Sequence, residues 1–352
     1  MVAYDFSRLG VLIVEDNAYI RQTLENLLFH FQFGRIVTAK HGEEAVKYLK
    51  SLASSSDIAP PDIVFSDLVM SPINGLLLLR WLRTSKESPN RMIPFIMLSG
   101  AADEAYVHSA RDLGTTDFMG KPFSAATVYN RIIKVIEHPR QIVTTTNYFG
   151  PDRRRRSKVE IAKERRIKEE KDVTIVYSQE KVVKPKTASD VWYFRLPNSL
   201  KEKAGNGFFG PAEIPQDLLN EAEEQLERGS DDFSVWALEY VKDLSNLCNL
   251  ALEADDDKER KNVFSEINLL ALELRGQGGT FGYPLITTFG KMLFDATKEG
   301  CRDDENAVEI VKSHIDAMGA VLREKVEGDG GEVGRALLAS LELAIEKNQT
   351  IS

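Results

Sequence analysis

The chain has 352 residues, of which 43% are hydrophobic and 28% charged, and its formal net charge is −9. A chain of this length predicts about two domains, each large enough to bury a hydrophobic core. Its two cysteines exclude a disulfide framework and favour a reducing, cytoplasmic environment. We expect no secretory signal, because the first residues show no basic region followed by an apolar core. We expect no membrane insertion, because no apolar run approaches the roughly 18 residues of a membrane span.

Charge is distributed unevenly along the chain. Residues 1–150 contain 15 basic and 15 acidic side chains, residues 151–186 contain 13 and 7, and residues 187–352 contain 17 and 32. The three segments therefore carry net charges of 0, +6 and −15, which add up to the total of −9. This distribution predicts three parts of different kind.

The first part alternates short apolar runs with helical patterns. The expected strands are Leu9–Val14, Arg35–Ala39, Asp62–Ser66, Ile93–Leu98 and Thr116–Phe118. Each is followed by a segment with helical spacing of apolar residues, such as Ile20, Leu24 and Leu27 on one face of the first helix. Five such units predict an α/β fold, a doubly wound, all-parallel five-stranded sheet with the flavodoxin-like strand order 2-1-3-4-5.

Polar side chains stand where these strands end, at the edge where open α/β sheets bind their ligands. Asp67 ends the third strand, Glu15 and Asp16 follow the first, Ser99 ends the fourth, and Lys121 follows the fifth. Three carboxylates in one place repel each other, so they share protons or bind a cation, and Mg²⁺ prefers oxygen ligands. Carboxylates, a hydroxyl and a lysine together predict a site for Mg²⁺ and a phosphoryl group.

Residues 9–138 resemble a response-regulator receiver domain of two-component signalling, and we assign this domain to residues 1–139. The matching features are Val-Glu-Asp-Asn at 14–17, Ser-Asp-Leu-Val-Met at 66–70, Gly75, Leu-Ser-Gly at 98–100 and Phe-Met-Gly-Lys-Pro-Phe at 118–123. One departure is that the usual proline four residues after the phosphoacceptor is Ser71 here, followed by Pro72.

The resemblance implies that Asp67 is phosphorylated. As a nucleophile it would accept a phosphoryl group from a phosphohistidine on a histidine kinase or phosphotransfer protein. The implied protein ligands of Mg²⁺ are the carboxylates of Glu15, Asp16 and Asp67 and the backbone carbonyl of Val69.

The resemblance also implies roles for the remaining site residues. Lys121, which we expect near the surface of the site, would offset charge on the transferring group. Ser99 would donate a hydrogen bond to a phosphoryl oxygen. Asp67, Ser99 and Lys121 are thus the expected catalytic set. Ser99 and Phe118 occupy the switch positions, and Phe118 has no hydroxyl, so it would respond by packing alone.

Residues 140–190 lose the alternating pattern, and we interpret them as a basic linker. They include four consecutive arginines, Arg153–Arg156. A small hairpin formed by Val173–Tyr177 and Lys181–Val183 is also compatible with the sequence. Basic runs bind nucleic acid, but no DNA-binding fold surrounds this one, so we do not expect a nucleic-acid partner.

Residues 191–352 are predicted to form an acidic, all-α bundle, because short connections join successive helical patterns. The first helix is expected to open at Ile214-Pro215. The others are expected over Asp231–Ala254, Asp257–Arg275, Pro284–Lys298, Glu305–Lys325 and Glu332–Glu346.

The third of these helices is similar to the signature of histidine phosphotransfer domains. The similarity rests on Leu272-Glu-Leu-Arg-Gly276 followed by Phe281-Gly282. In that family a phosphorylated histidine precedes Lys/Arg-Gly by three residues, and this position is Leu272 here. The resemblance therefore implies a degenerate phosphotransfer-like bundle. The three glycines Gly276, Gly278 and Gly279 have a second interpretation, since they could simply let two helices approach closely.

The sequence as a whole predicts a bacterial, cytoplasmic response regulator that is not an enzyme and signals through an unidentified protein partner of its helical domain. An alternative is a phosphorelay intermediate that passes phosphate on through His314, the one histidine of residues 191–352. We favour a packed, structural His314, since it lies on a largely apolar stripe with Val311 and Met318. A DNA-binding regulator would need a helix-turn-helix that we do not find.

Overall fold

The computed structural model describes ten stretches of the chain, which are residues 4–53, 58–100, 104–153, 174–176, 185–187, 190–205, 215–228, 230–254, 256–298 and 304–350. Contacts divide the chain into two units. The first comprises Met1–Met119 and Ala126–Asn220, and the second Gly120–Ala125 and Glu221–Ser352. These contact units differ from the domains predicted at 1–139, 140–190 and 191–352. The predicted domains are units of independent folding, which contacts alone do not test, so they stay a prediction.

A five-stranded sheet forms the centre of the N-terminal part. Its strands are β1 (Gly10–Val14), β2 (Arg35–Ala39), β3 (Ile63–Asp67), β4 (Phe95–Ser99) and β5 (Asp117–Gly120). Their order is β2-β1-β3-β4-β5, which confirms the doubly wound parallel fold. β1, β3 and β4 are buried along their whole length, because strands covered by helices on both faces are apolar throughout.

Five helices connect and follow these strands. They are α1 (Ala18–His30), α2 (Gly42–Ala53), α3 (Gly75–Thr84), α4 (Glu104–Leu113) and α5 (Ala125–Glu137). Asparagine side chains cap two of them: Asn17 accepts hydrogen bonds from the backbone of Tyr19 and Ile20, and Asn74 accepts one from Leu77. These caps satisfy backbone donors that a helix start leaves unpaired. They fix α1 and α3 directly after the loops that follow β1 and β3.

A second, four-stranded sheet follows α5, with strand order β7-β6-β9-β8. Its strands are β6 (Ile142–Thr144), β7 (Phe149–Pro151), β8 (Thr174–Val176) and β9 (Trp192–Phe194). Three of these strands lie in the range that the sequence predicts as a linker. Of the predicted hairpin, β8 is present, but it pairs with β9 in parallel, and Lys181–Val183 lies outside the described residues.

A short helix, α6 (Ser199–Ala204), is held within the first unit by charged pairs. The ammonium of Lys201 lies 2.7 Å from a carboxylate oxygen of Glu137, and that of Lys203 lies 2.5 Å from one of Asp62. Its residues Leu200 and Ala204 are buried. α6 is therefore tied to the end of α5 and to the residue that precedes β3.

The remaining described chain is helical. It contains α7 (Gln216–Arg228), α8 (Ser230–Glu253), α9 (Asp257–Gln277), α10 (Pro284–Thr297), α11 (Glu305–Arg323) and α12 (Gly331–Thr350). These match the six helices predicted from the sequence within a few residues. α8, α9, α10 and α11 form a closed ring in which each packs on the next, and α12 packs on α11. No described helix combines the length and apolarity that crossing a membrane requires.

Close packing around α10 depends on two glycines, one of which, Gly290, the sequence analysis did not single out. A Cβ atom on Gly290 of α10 would lie 2.7 Å from the backbone nitrogen of Arg275 on α9. The expected close approach of two helices is therefore present. Gly278, one of the three glycines noted in the sequence, is also tightly packed, because a Cβ atom there would lie 2.8 Å from the backbone nitrogen of Thr287 on α10.

Candidate functional site

Three carboxylates meet at the carboxyl ends of β1 and β3. Glu15 and Asp16 follow β1, and Asp67 is the last residue of β3. A carboxylate oxygen of each lies within 4.8 Å of those of the other two. Glu15 is 0% and Asp67 2% exposed, whereas Asp16 is exposed. The structure thus brings together the three acidic side chains that the sequence places at strand ends.

The pairing of the strands explains this meeting. β1 and β3 are parallel neighbours, with Val14 opposite Ser66, so the residues that follow both positions emerge at the same edge of the sheet. The backbone N–H of Glu15 donates to the carbonyl of Ala39 at 3.1 Å, which extends the pairing of β1 with β2 by one residue. Glu15 is therefore held by the sheet itself.

Arg21 of α1 was not singled out from the sequence, yet it fixes the backbone of the acidic pair. Its guanidinium donates to the carbonyl oxygens of Glu15 at 2.7 Å and Asp16 at 3.1 Å. The available signal was an arginine in the first turn of a helix, 6 and 5 residues after the acidic pair Glu15 and Asp16. An arginine on a helix surface is ordinary, so this signal is weak without a structure.

The loop after β3 passes close to Asp67 and depends on Gly75. The N–H of Gly75 donates to the carbonyl of Leu68 at 3.1 Å. A Cβ atom at this position would lie only 2.1 Å from the carbonyl oxygen of Asp67, so no other residue fits without movement of the backbone. Val69, the expected carbonyl ligand, is half-buried in this loop, two residues after Asp67.

The other predicted site residues belong to β4 and β5 or follow them directly. Ser99 ends β4 and is buried, and β4 pairs with β3 so that Leu98 lies opposite Asp67. Phe118 of β5 is half-buried and packs against the hydrophobic core. Lys121 comes directly after β5 and is 7% exposed. A lysine at the surface of the site was expected, so this burial corrects that detail.

The donor set at the acidic cluster fits a magnesium ion. All three side chains offer carboxylate oxygens, which hard divalent cations such as Mg²⁺ prefer over the nitrogen and sulfur ligands typical of zinc and copper sites. Burying several negative charges together is costly unless a positive charge compensates them. Glu15, Asp16 and Asp67 are the side chains that would hold the ion.

The two histidine-related positions of the helical part are both buried. Leu272 of α9, which takes the place of the phosphorylated histidine in the phosphotransfer signature, is 4% exposed. His314 of α11 is 1% exposed, and its Nδ1 lies 2.7 Å from the carbonyl of Ile310. Burial lowers the pKa of His314 below its usual value. The predicted packed histidine is therefore what the structure contains.

Comparison with known sequences identifies the N-terminal part. The profile of the response regulator receiver domain matches residues 11–133. Chemotaxis protein CheY of Thermotoga maritima is 33% identical over 125 residues, which are 36% of this chain and 95% of that protein. The probable transcriptional regulator ycf27 of Cyanophora paradoxa is 32% identical over 146 residues, or 41% of this chain and 56% of that protein.

Other similar proteins are much longer than the matched region or align over the same third of the chain. Hybrid signal transduction histidine kinase D of Dictyostelium discoideum is 28% identical over 126 residues, and the chain spans only 7% of its length. Among solved structures, CheY4 of Vibrio cholerae is 24% identical, with a TM-score of 0.32, and the match covers 36% of this chain and 98% of that one. The profile match and the nearly complete coverage of Thermotoga CheY show that the chain belongs, through residues 11–133, to the response regulator receiver domain family.

Proposed function

We propose that the chain is a two-component response regulator in which Asp67 accepts a phosphoryl group from a histidine kinase or phosphotransfer protein. The observation that carries this proposal is the cluster of Glu15, Asp16 and Asp67, whose carboxylate oxygens lie within 4.8 Å of one another at the ends of β1 and β3. Family membership supports the same proposal, because the phosphoryl donors of receiver domains are proteins that carry a phosphohistidine.

In the proposed reaction a carboxylate oxygen of Asp67 forms a bond to phosphorus while the bond between phosphorus and the donor imidazole nitrogen breaks. The electron pair of the broken bond stays on the imidazole, which takes up a proton as it leaves. The product on Asp67 is an acyl phosphate. A Mg²⁺ ion held by Glu15, Asp16, Asp67 and the carbonyl of Val69 would offset negative charge on the phosphoryl oxygens.

Two further side chains complete the proposed site. Lys121 supplies a positive charge for the transferring group, and Ser99 donates a hydrogen bond to a phosphoryl oxygen once the group is on Asp67. Phe118 responds to the new position of Ser99 by a change of packing, since it has no hydroxyl. These roles rest on the positions of the residues at strand ends and on family membership.

For the helical part we propose a protein-binding output and no enzymatic activity of its own. α8, α9 and α12 expose large apolar side chains, which are Val235, Leu250, Leu252, Leu269, Val333 and Leu343. Exposed apolar side chains next to charged ones suit recognition of a protein better than of nucleic acid. The net charge of −15 over residues 187–352 also opposes binding to phosphate backbones.

The alternative of a phosphorelay through His314 is disfavoured by its burial, because a phosphoryl donor cannot reach a side chain that is packed inside the bundle. The relatives do not decide the output either. They include a protein named as a protein-glutamate methylesterase and one named as a cyclic-nucleotide phosphodiesterase. A bacterial origin and a cytoplasmic location stay predictions from the sequence.

The proposal is tested by incubating the full chain with radiolabelled acetyl phosphate and Mg²⁺. The wild-type protein should become labelled, and Asp67→Asn should not, because an amide is a poor nucleophile. Asp243→Asn, which changes an exposed acid of α8, is the matched control and should be labelled like the wild type. Equal labelling of the Asp67→Asn variant would remove Asp67 as the acceptor.

A further inference from the structure

A short segment that carries Lys121 belongs to the second structural unit. Residues Gly120–Ala125 group with Glu221–Ser352 by their contacts, although they connect β5 to α5 in the chain. Phe123 and Ala125 of this segment are buried, as is Lys121 itself. The backbone next to Lys121 therefore packs with residues of the second unit.

Two hydrogen bonds hold this segment within the second unit. The backbone N–H of Phe123 donates to the hydroxyl oxygen of Thr280 at 3.1 Å. The backbone N–H of Ala125 donates to a carboxylate oxygen of Glu223 at 2.8 Å. Both donors are backbone groups two and four residues after Lys121, so these bonds restrain the main chain and not merely a side chain.

The bond from Ala125 has the character of a helix cap. Ala125 is the first residue of α5, and the first N–H groups of a helix have no partner within it. A carboxylate at this end also interacts favourably with the helix dipole. Glu223 of α7 is therefore a cap supplied from a distant part of the sequence, 98 residues away.

Van der Waals contact supports the same placement. A Cβ atom on Gly279 would lie 3.0 Å from Cγ of Pro122, which is tight for a carbon contact. Gly279 and Thr280 belong to a short 3₁₀ helix, Gly278–Phe281, between α9 and α10. This turn thus packs closely on Pro122 and bonds to Phe123, on the carboxyl side of Lys121.

We propose that Thr280 and Glu223 are positioning residues for Lys121, so that the helical bundle sets the efficiency of phosphoryl transfer to Asp67. The inference rests on the proposed function of Asp67 and Lys121. Phosphoryl transfer depends strongly on how well cationic groups are aligned with the transferring oxygens. Releasing the backbone beside Lys121 allows that lysine more orientations and slows the reaction.

The test measures the rate at which acetyl phosphate labels the full chain at saturating Mg²⁺. Thr280→Val keeps the shape of the side chain but removes the hydroxyl that accepts the hydrogen bond from Phe123. We expect this variant to lower the labelling rate about fivefold, because one hydrogen bond that restrains the backbone beside Lys121 is lost. Thr280→Ser retains the hydroxyl and should restore most of the rate. Thr288→Val is the matched control, because its hydroxyl bonds only within α10, to the carbonyl of Pro284.

A second pair of variants keeps the proposal testable if Thr280→Val fails to fold. Glu223→Gln weakens the cap and should also slow labelling, whereas Glu221→Gln, an exposed acid on the same helix, should not. Neither Thr280 nor Glu223 is an expected metal ligand. The Mg²⁺ concentration that gives half-maximal rate should therefore stay unchanged, a separation that general loss of structure would not produce.

The decisive comparison uses Lys121→Ala. If Thr280 acts through Lys121, then Thr280→Val should cause no further loss of rate in the Lys121→Ala background, because coupled residues are non-additive. An equal fold-loss in both backgrounds, or a Thr280→Val rate like that of the wild type, would overturn the inference while leaving Asp67 as the acceptor. A wild-type chain that is not labelled at all would overturn the proposed function and this inference with it.

Discussion

Asp67, the proposed phosphoryl acceptor, stands at the end of a buried strand, and its position depends on the residues that leave room around it. Its backbone carbonyl faces Gly75, where a side chain would collide with it. Its carboxylate lies with those of Glu15 and Asp16. Gly75 is therefore as necessary to the geometry of the site as its acidic residues, because it allows the loop after β3 to pass close to Asp67 and enter α3.

Gly75→Ala should destabilise the N-terminal part and slow labelling of Asp67. The added methyl group would lie 2.1 Å from the carbonyl oxygen of Asp67 and 2.8 Å from the sulfur of Met97. Overpacking of this kind costs about 1–3 kcal/mol in the free energy of unfolding, which urea denaturation measures. Gly120→Ala is the control, since nothing lies within 4 Å of the corresponding atom. Equal stability of both variants would contradict the close approach.

His314 should make the helical bundle less stable in mild acid. Burial lowers the pKa of this histidine in the folded protein, while in the unfolded chain its pKa is about 6.5. Above the unfolded pKa both states are neutral and the histidine causes no pH dependence. As the pH falls below it, the unfolded state binds the proton first, so stability is lost.

Hydrogen exchange of the α11 amides at pH 7.5 and 5.5, corrected for intrinsic rates, measures this effect. The wild type should lose protection at the lower pH, and His314→Gln should lose less. His138→Gln, which changes an exposed histidine, should behave like the wild type. If His314→Gln kept the full pH dependence, the loss of protection would have another origin.

At the scale of elements, the success of the sequence analysis follows the strength of the periodic signal. β1, β3 and β4 are continuous apolar runs, and the six C-terminal helices have long helical periodicity, so both were predicted. The three-residue strands β6, β7 and β9 are too short to show a period of two, and they were missed. Their sheet forms through pairing between distant segments, which no local pattern encodes.

The same reasoning explains what was found of the site and what was not. Glu15, Asp16, Asp67, Ser99 and Lys121 stand at strand ends, where position along the chain implies position in space. Arg21, Thr280 and Glu223 contact backbone groups of residues outside their own elements. Such contacts depend on tertiary structure, so side-chain type and spacing could not have revealed them.

The cap of α1 provides a test at this scale. Asn17 accepts hydrogen bonds from the N–H groups of Tyr19 and Ile20 at 2.9 and 3.1 Å. Asn17→Ala should therefore lower the free energy of unfolding by about 1 kcal/mol. Asn17→Ser, which can still cap, should lose much less. Urea denaturation of both variants decides the matter, and equal losses would show that the side chain stabilises by packing instead.

The whole molecule joins a receiver domain to an acidic helical bundle that contains no accessible histidine. His314 of α11, the only histidine after His138 in the sequence, is buried. Leu272, the residue at the histidine position of the phosphotransfer signature, carries no nucleophile. The relatives that match residues 11–133 have names as different as chemotaxis protein and transcriptional regulator. The names of these relatives therefore do not identify a partner for the helical bundle of this chain.

The central claim is that the phosphoryl group resides on Asp67. The most direct measurement is to phosphorylate the full chain with acetyl phosphate and Mg²⁺, reduce it with borohydride, which converts an aspartyl phosphate to homoserine, and locate the change by peptide mass spectrometry. We expect homoserine at position 67 and only in samples that contained the phosphodonor. Modification at Glu15, Asp16 or another residue, or no modification at position 67, would contradict the account.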